Sequence, residues 1–280
     1  MSLEGDAELE RLEREYSWAV RDHLRAKGNV WVSGSSPPET AYDDEMSAAV
    51  AEVAEGSWWF QLRNRLLVDL IGRQGRPAAI WEVGSGTGAV SLALSKAGLV
   101  TVAVEPSRVG AEQAAIRGQT SINETLEELG LPASCLPGIG LFDVIEHLER
   151  PEELLIECRR VLASGSPIFL TVPAYKFLWN DADVHDRHFR RYRPKEVARL
   201  LTTCGFEVTS CGSRMASLVP PMFVVRTLPY RLGIRRSVEA VTRDLDAVPS
   251  WIAGLFYLFE RDLGRLLPFG TSVYASAVVR

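Results

Sequence analysis

The chain has 280 residues, 46% of them apolar and 24% charged. That balance supports a substantial core and excludes a disordered, collagen-like or coiled-coil protein. Lys plus Arg number 31 against 36 for Asp plus Glu, a net charge of −5, so there is no electrostatic footprint for a polyanion and nucleic acid is not expected as a partner. The four cysteines, Cys135, Cys158, Cys204 and Cys211, lack C-x-x-C spacing and read as small buried apolar residues in a reducing compartment. The first thirty residues show no apolar h-region, and the apolar runs 216–225 and 251–259 are shorter than the ~20 residues of a spanning helix. A cytoplasmic location is expected.

In chain order, the charge pattern predicts a helical extension up to about Gly34, ended by Ser33-Gly34-Ser35-Ser36-Pro37-Pro38. A second helix is expected over Glu45 to Glu55, stopped by Gly56. A third carries Trp58, Trp59 and Phe60 into Leu66, Leu67, Leu70 and Ile71 at helical spacing. From Ala78 the period changes. Ala78 to Val83 reads as a strand, Gly84-Ser85-Gly86-Thr87-Gly88 as a turn, Ala89 to Ala97 as a helix closed by Gly98, and Val100 to Val104 as a strand ending in Glu105-Pro106. Further strands are expected at Gly138 to Ile145, Pro167 to Val172, Phe206 to Ser210 and Ser272 to Val279, with helices between them. Pro151 and Pro194 mark helix starts, and Gly165 and Gly205 lie past helix ends.

Strands alternating with helices imply an α/β fold with a doubly wound, Rossmann-like sheet, whose ligand site lies outside the carboxyl ends of the strands. Functional residues are therefore expected at Glu82 to Gly88, Glu105, Asp143 to His147 and from Pro173 onward. The expected division is an N-terminal helical extension (1–55), a cofactor-binding core (56–212), an apolar helical insertion (213–270) and a final strand (271–280).

The loop Gly84 to Ala89 satisfies G-x-G-x-x-A for a dinucleotide and equally the G-x-G-x-G of another nucleotide-like cofactor. In both readings glycine admits positive φ and close backbone approach, and Glu105, at the end of the second strand, accepts from ribose hydroxyls. Glu82 separates them, because a carboxylate there would repel a dinucleotide pyrophosphate in a low-dielectric cleft. S-adenosylmethionine has no phosphate and carries a sulfonium and an ammonium, so an acidic glycine-lined turn suits it.

At these residues the chain resembles the class I S-adenosylmethionine-dependent methyltransferases. Glu82-Val83-Gly84-Ser85-Gly86-Thr87-Gly88 looks like their first motif, and Val104-Glu105-Pro106 like their second-strand acid. Gly140-Leu141-Phe142-Asp143-Val144-Ile145-Glu146-His147-Leu148 is similar to the fourth-strand motif of the branch that includes quinone-biosynthesis and polysaccharide-cluster methyltransferases. Trp58-Trp59-Phe60-x-x-Arg63 and His188-x-Arg190-Arg191-Tyr192 resemble that branch too. The likeness spans roughly residues 56 to 212 and, more loosely, Leu267 to Ser272. It implies a seven-stranded sheet with a final antiparallel hairpin, an S-adenosyl-L-methionine cofactor, and methyl transfer to an O, C or N atom of a small-molecule, glycan or lipid-like acceptor. It assigns Glu82, Gly84, Ser85, Gly86, Thr87, Gly88, Glu105 and Pro106 to the cofactor. Residues 119–137 show no clean third strand, so the adenine-side contacts are placed at Glu124, Thr125 and Leu126. Two rivals stay open: a non-catalytic protein that binds the same cofactor, and a nucleotide-dependent oxidoreductase.

Other candidates carry two readings each. His147 is placed as a general base for an acceptor hydroxyl, or as the cap of the turn before Pro151. Asp143 contacts the cofactor or is satisfied by backbone N–H groups. Arg63 meets the cofactor carboxylate or lies solvated on its helix, and Trp59 lines the cleft, where an aromatic face near a sulfonium gains cation–π energy, or belongs to the core. The run Asp181 to His188 invites a metal, but Arg187, Arg190, Arg191 and Arg193 are ready partners for its carboxylates, so a salt-bridged lid is preferred and no metal is expected. His188, Arg190, Arg191 and Tyr192 then face an anionic substrate or lock the lid to the body. The Arg-flanked insertion 213–270 packs as a helical pair, or rests peripherally on a membrane and takes a lipid-like acceptor.

Overall fold

The structure is a computed structural model and describes residues 25–27, 30–32, 57–237, 240 and 250–280. The central strands are β3 (Ile80–Val83), β4 (Thr101–Val104), β5 (Thr120–Asn123), β6 (Ile139–Phe142) and β7 (Pro167–Pro173), followed by the closing hairpin partners β8 (Phe206–Arg214) and β9 (Ser272–Val279). They lie in the order β5-β4-β3-β6-β7-β9-β8. All neighbours are parallel except β9, which runs antiparallel to both β7 and β8. Strand order reverses between β3 and β6, which puts the crevice at their carboxyl ends.

The sheet has nine strands, two more than the expected seven. β1 (Arg25–Lys27) and β2 (Val30–Val32) extend the β5 edge, β2 pairing parallel with β5. This corrects the helical reading of those residues: Val30 is buried against Ala111 and Ala115, a contact that a charge pattern does not reveal. The rest of the extension, including the helix expected at Glu45 to Glu55, lies outside the described residues.

Each central strand is buried on both faces, so its side chains divide between two cores. Ile80, Phe142 and Phe169 join Leu62, Leu66, Leu67, Leu70 and Ile71 of helix α1 (Trp58–Gln74) on one face. Trp81, Leu141 and Ile168 face the other, against Leu154, Leu155 and Cys158 of a helix that starts at Pro151.

β5 corrects the statement that residues 119–137 hold no clean strand. It has one aliphatic residue, Ile122. Its polar residues find distant partners: the Ser121 hydroxyl donates to the Ala111 carbonyl, and Asn123 Nδ2 donates to the carbonyls of Glu105 and Pro106. Between β8 and β9 run a helical segment over 216–231 and a helix over Ser250–Asp262. The latter docks on α1 through stacked Trp58 and Phe256 and a Tyr257 hydroxyl that donates to Asp69. Among the described residues no helix is long and apolar enough to cross a membrane.

Candidate active site

The glycine turn leaves β3 with Gly84, Gly86 and Gly88 all at positive φ (72°, 53° and 74°). The three positions differ in what surrounds them. A Cβ on Gly88 would lie 2.6 Å from the Ala114 Cβ and one on Gly84 2.8 Å from Val144 Cγ2, whereas one on Gly86 meets nothing within 4 Å. Gly84 and Gly88 thus serve packing, and Gly86 leaves open space where a ligand can approach the backbone.

Glu105, at the end of β4, closes this loop. Its Oε2 accepts from the Gly86 N–H at 2.7 Å and its Oε1 from the Ser107 N–H at 2.8 Å. Burial raises its pKa, and the two N–H donors oppose that rise. Each oxygen keeps a further lone pair for a ribose hydroxyl. Glu82 is 1% exposed and accepts from the Ser91 hydroxyl. Burial pushes its pKa up to about 7, against the pull of Ser91 and Arg63, so its negative charge is only half developed at neutral pH.

Arg63 is not solvated on its helix. It is buried in α1, pairs with Asp143, and donates to Thr171 Oγ1 at 3.4 Å. Asp143 sits at φ 57° directly after β6, with its N–H bonded to the Thr171 carbonyl. The pair brings α1, β6 and β7 to one point beside Glu82. Trp59 stands next to it, with the Arg63 guanidinium 5.6 Å from the ring centre. Ser85 and Thr87 are buried in the loop, and the Thr87 carbonyl accepts from Arg117.

Beyond β5 the three expected adenine-side residues part company. Glu124 is buried at the strand end, Thr125 bonds Glu128 at the surface, and Leu126 belongs to the core. Pro106 is tied to β5 through Asn123.

His147 ends a short turn after β6 (Ile145–His147). Burial, with His188 nearby, lowers its pKa to about 4, which keeps the ring neutral but leaves it a low proton affinity for a general base. His188, whose ring lies edge-on to His147 at 4.6 Å, places Nδ1 2.9 Å from Asp183 Oδ1. Against burial, His188 and Arg191 hold the Asp183 carboxyl below its ordinary range.

The remaining lid residues lock it to the body. Arg190 donates to the carbonyls of Leu148 and Glu149, Arg191 to Asp183 and the Ala174 carbonyl, and the buried Tyr192 hydroxyl to the Ile145 carbonyl. These are the contacts that the locking reading expects of Arg190, Arg191 and Tyr192. Ser91 and Thr171 lie outside every functional stretch that the sequence singled out, whereas Glu146 and Asp183 fall inside the stretches 143–147 and 181–188 without a role of their own.

A parallel sheet with this reversal point, an acid before a three-glycine turn and a second acid after the next strand define the S-adenosylmethionine-dependent methyltransferases as the class. The family described as "Methyltransferase domain" matches residues 56–211, and the chain belongs to it. Over 160 residues it is 28% identical to a probable S-adenosylmethionine-dependent methyltransferase of Mycolicibacterium smegmatis, a match covering 56% of this chain and 62% of that relative. Its fold is similar to that of a Haemonchus contortus phosphoethanolamine N-methyltransferase 2 bound to S-adenosylhomocysteine and its phosphomonomethylethanolamine ligand (TM-score 0.56, 16% identity, 86% of this chain and 58% of that one). It is similar too to a Thermotoga maritima possible histamine N-methyltransferase (TM-score 0.53, 18% identity, 83% and 94%). The cofactor of this class is S-adenosylmethionine, and the open backbone at Gly86 beside Glu105 fits its nucleoside.

Proposed function

We propose that the chain catalyses transfer of the cofactor's sulfonium methyl group to an O, C or N atom of a small-molecule, glycan or lipid-like acceptor. The observation that carries this reading is the bond between the Gly86 N–H and Glu105 in the loop that leaves β3 just after the buried Glu82. Glu105 accepts from the ribose hydroxyls, Glu82 and the loop face the cationic methionine end, and Arg63 and Asp143 fix the floor beneath it. Residues 56–212 with 271–280 form the catalytic unit, and 213–270 shape the acceptor side. Catalysis rests on alignment, since a charged sulfonium leaves without acid assistance and a closed cleft can supply about 7 kcal/mol or more of the barrier.

Calorimetric titration with S-adenosylhomocysteine and, separately, with NADH tests the reading. Saturation by the first alone supports it, and saturation by NADH alone replaces it with the oxidoreductase. Loss of S-adenosylmethionine from the reaction when candidate acceptors are added separates an enzyme from a non-catalytic binder.

A lipid-like acceptor is favoured by a specific surface. Val224, Leu232, Ile234, Leu255, Leu258 and Leu266 are each exposed by 48% or more, and Arg231, Arg235 and Arg261 lie on the same two stretches of chain, over the rings of Phe223, Tyr230 and Tyr257. Exposed apolar side chains on segments that also carry arginine suit the interface of an anionic bilayer. Co-flotation with vesicles containing an anionic lipid, lost on replacing Leu232 and Ile234 by Asp, is the expected outcome. Failure of the intact chain to float removes the membrane reading.

A further inference from the structure

We propose that Glu146, His147 and His188 form a divalent-metal site beside the cleft, taking an ion of the Mn2+, Fe2+, Co2+ or Zn2+ type and presenting it to an acceptor oxygen. Each side chain offers one ligand atom, and the three atoms lie within 4.8 Å of one another. An ion about 2.1 Å from each donor draws ligands to within roughly 4 Å, a closure that small side-chain rotations supply.

Three independent features point the same way. Glu146 is fully buried, and neither carboxylate oxygen has a hydrogen-bond partner among the described residues. Burying a carboxyl group whose oxygens have no hydrogen-bond partner is costly, and a cation offsets that cost. Secondly, Nδ1 of His188 is committed to Asp183, which is fixed in turn by Arg191 and by the Asn180 N–H. This carboxylate–histidine arrangement holds the ring with Nε2 outward, as second partners of metal-bound histidines do. Asp186 Oδ2 is 4.0 Å from that Nε2, a further acid at the rim.

Thirdly, the two segments that bring the donors are stapled together. The Phe189 N–H donates to the Glu146 carbonyl at 2.8 Å, and Arg190 holds the carbonyls of Leu148 and Glu149. The two backbone segments are therefore held together before any ion arrives. Two imidazoles and one carboxylate suit a borderline divalent ion, and three protein ligands leave positions open for a substrate oxygen. Metal binding stands by itself. Its role toward the acceptor rests on the methyltransferase reading, and narrows the acceptor to one that carries a coordinating oxygen.

The test titrates the chelator-stripped full chain with Co2+ and follows its visible ligand-field absorption, with S-adenosylhomocysteine binding measured by calorimetry on the same samples. Saturation near one equivalent is expected. His188→Ala and His147→Ala should abolish it, and Asp183→Asn should weaken it about 10- to 100-fold. Glu146→Gln should weaken it too, with the circular dichroism spectrum retained in each. If Glu146→Gln does not fold, His188→Ala, at a partly exposed position, decides alone. Absence of saturable Co2+ binding, or binding unchanged in His147→Ala and His188→Ala, overturns the site. Co2+ bound normally without S-adenosylhomocysteine binding overturns the methyltransferase reading and leaves the site standing.

Discussion

Arg63, inside the helix that covers one face of the sheet, forms an ion pair with Asp143, the residue that follows β6 at a left-handed φ of 57°. A helix residue and a strand-end residue thereby brace the floor of the cleft, with Thr171 bonded to both. Replacing Arg63 by Met strips a largely buried acid of its counter-charge. The expected cost is about 3 kcal/mol, read as a lower urea midpoint, with S-adenosylhomocysteine affinity falling at least tenfold by calorimetry. An unchanged midpoint would show that the pair contributes nothing to the floor.

Gly88→Ala and Gly86→Ala should separate packing from binding. Both positions have positive φ, but only Gly88 faces a neighbour closer than van der Waals contact. Gly88→Ala should lose about 2 to 4 kcal/mol from strain and overpacking together. Gly86→Ala should lose about 1 kcal/mol yet bind cofactor much more weakly. Thermal melts and calorimetry on the two variants check this, and equal melting temperatures would contradict it.

Glu82 predicts a pH dependence. Its pKa is about 7 in the folded chain against an ordinary 4.5, so between those values the folded state binds the proton that the unfolded state has released. Stability therefore falls as pH rises from about 4.5 to 7 and levels off above, by about 3 kcal/mol at most from this group. Glu82→Gln should flatten that part of the melting-temperature profile. A cationic ligand favours the ionised form, so binding near pH 6.5 should release protons in wild type and not in Glu82→Gln, as calorimetry in buffers of different ionisation enthalpy would record.

Glu105→Ala removes the acceptor of two backbone N–H groups, those of Gly86 and Ser107. Leaving them unpaired should cost about 2 kcal/mol and reduce cofactor binding below detection in an equilibrium dialysis experiment. Glu105→Gln, which retains one carbonyl acceptor, should fall between wild type and alanine in both measurements. Equal behaviour of the two variants would deny the carboxylate its double role.

Strands β3 and β4, the glycine turn and the two acids were legible because each is a short-range signal: a β-branched run, a breaker, a charge at a fixed offset. The roles of Arg190, Arg191 and Tyr192 stayed open because a side chain's partner depends on what the fold lays against it. β5 escaped notice because Ser121 and Asn123 are satisfied by carbonyls elsewhere in the chain rather than by an apolar alternation of their own.

Composition and local periodicity by themselves determined an α/β sheet, and the glycine turn with its two acids marked a candidate cofactor site at the end of its first central strand, since backbone propensity and burial act over neighbouring residues. Tertiary structure decided that Arg63 meets Asp143, that β1 and β2 lengthen the sheet, and that Glu146 and His147 converge with His188 from another segment. Those juxtapositions arise from packing between elements distant in sequence, and the energy that selects them belongs to the assembled core rather than to any stretch of it.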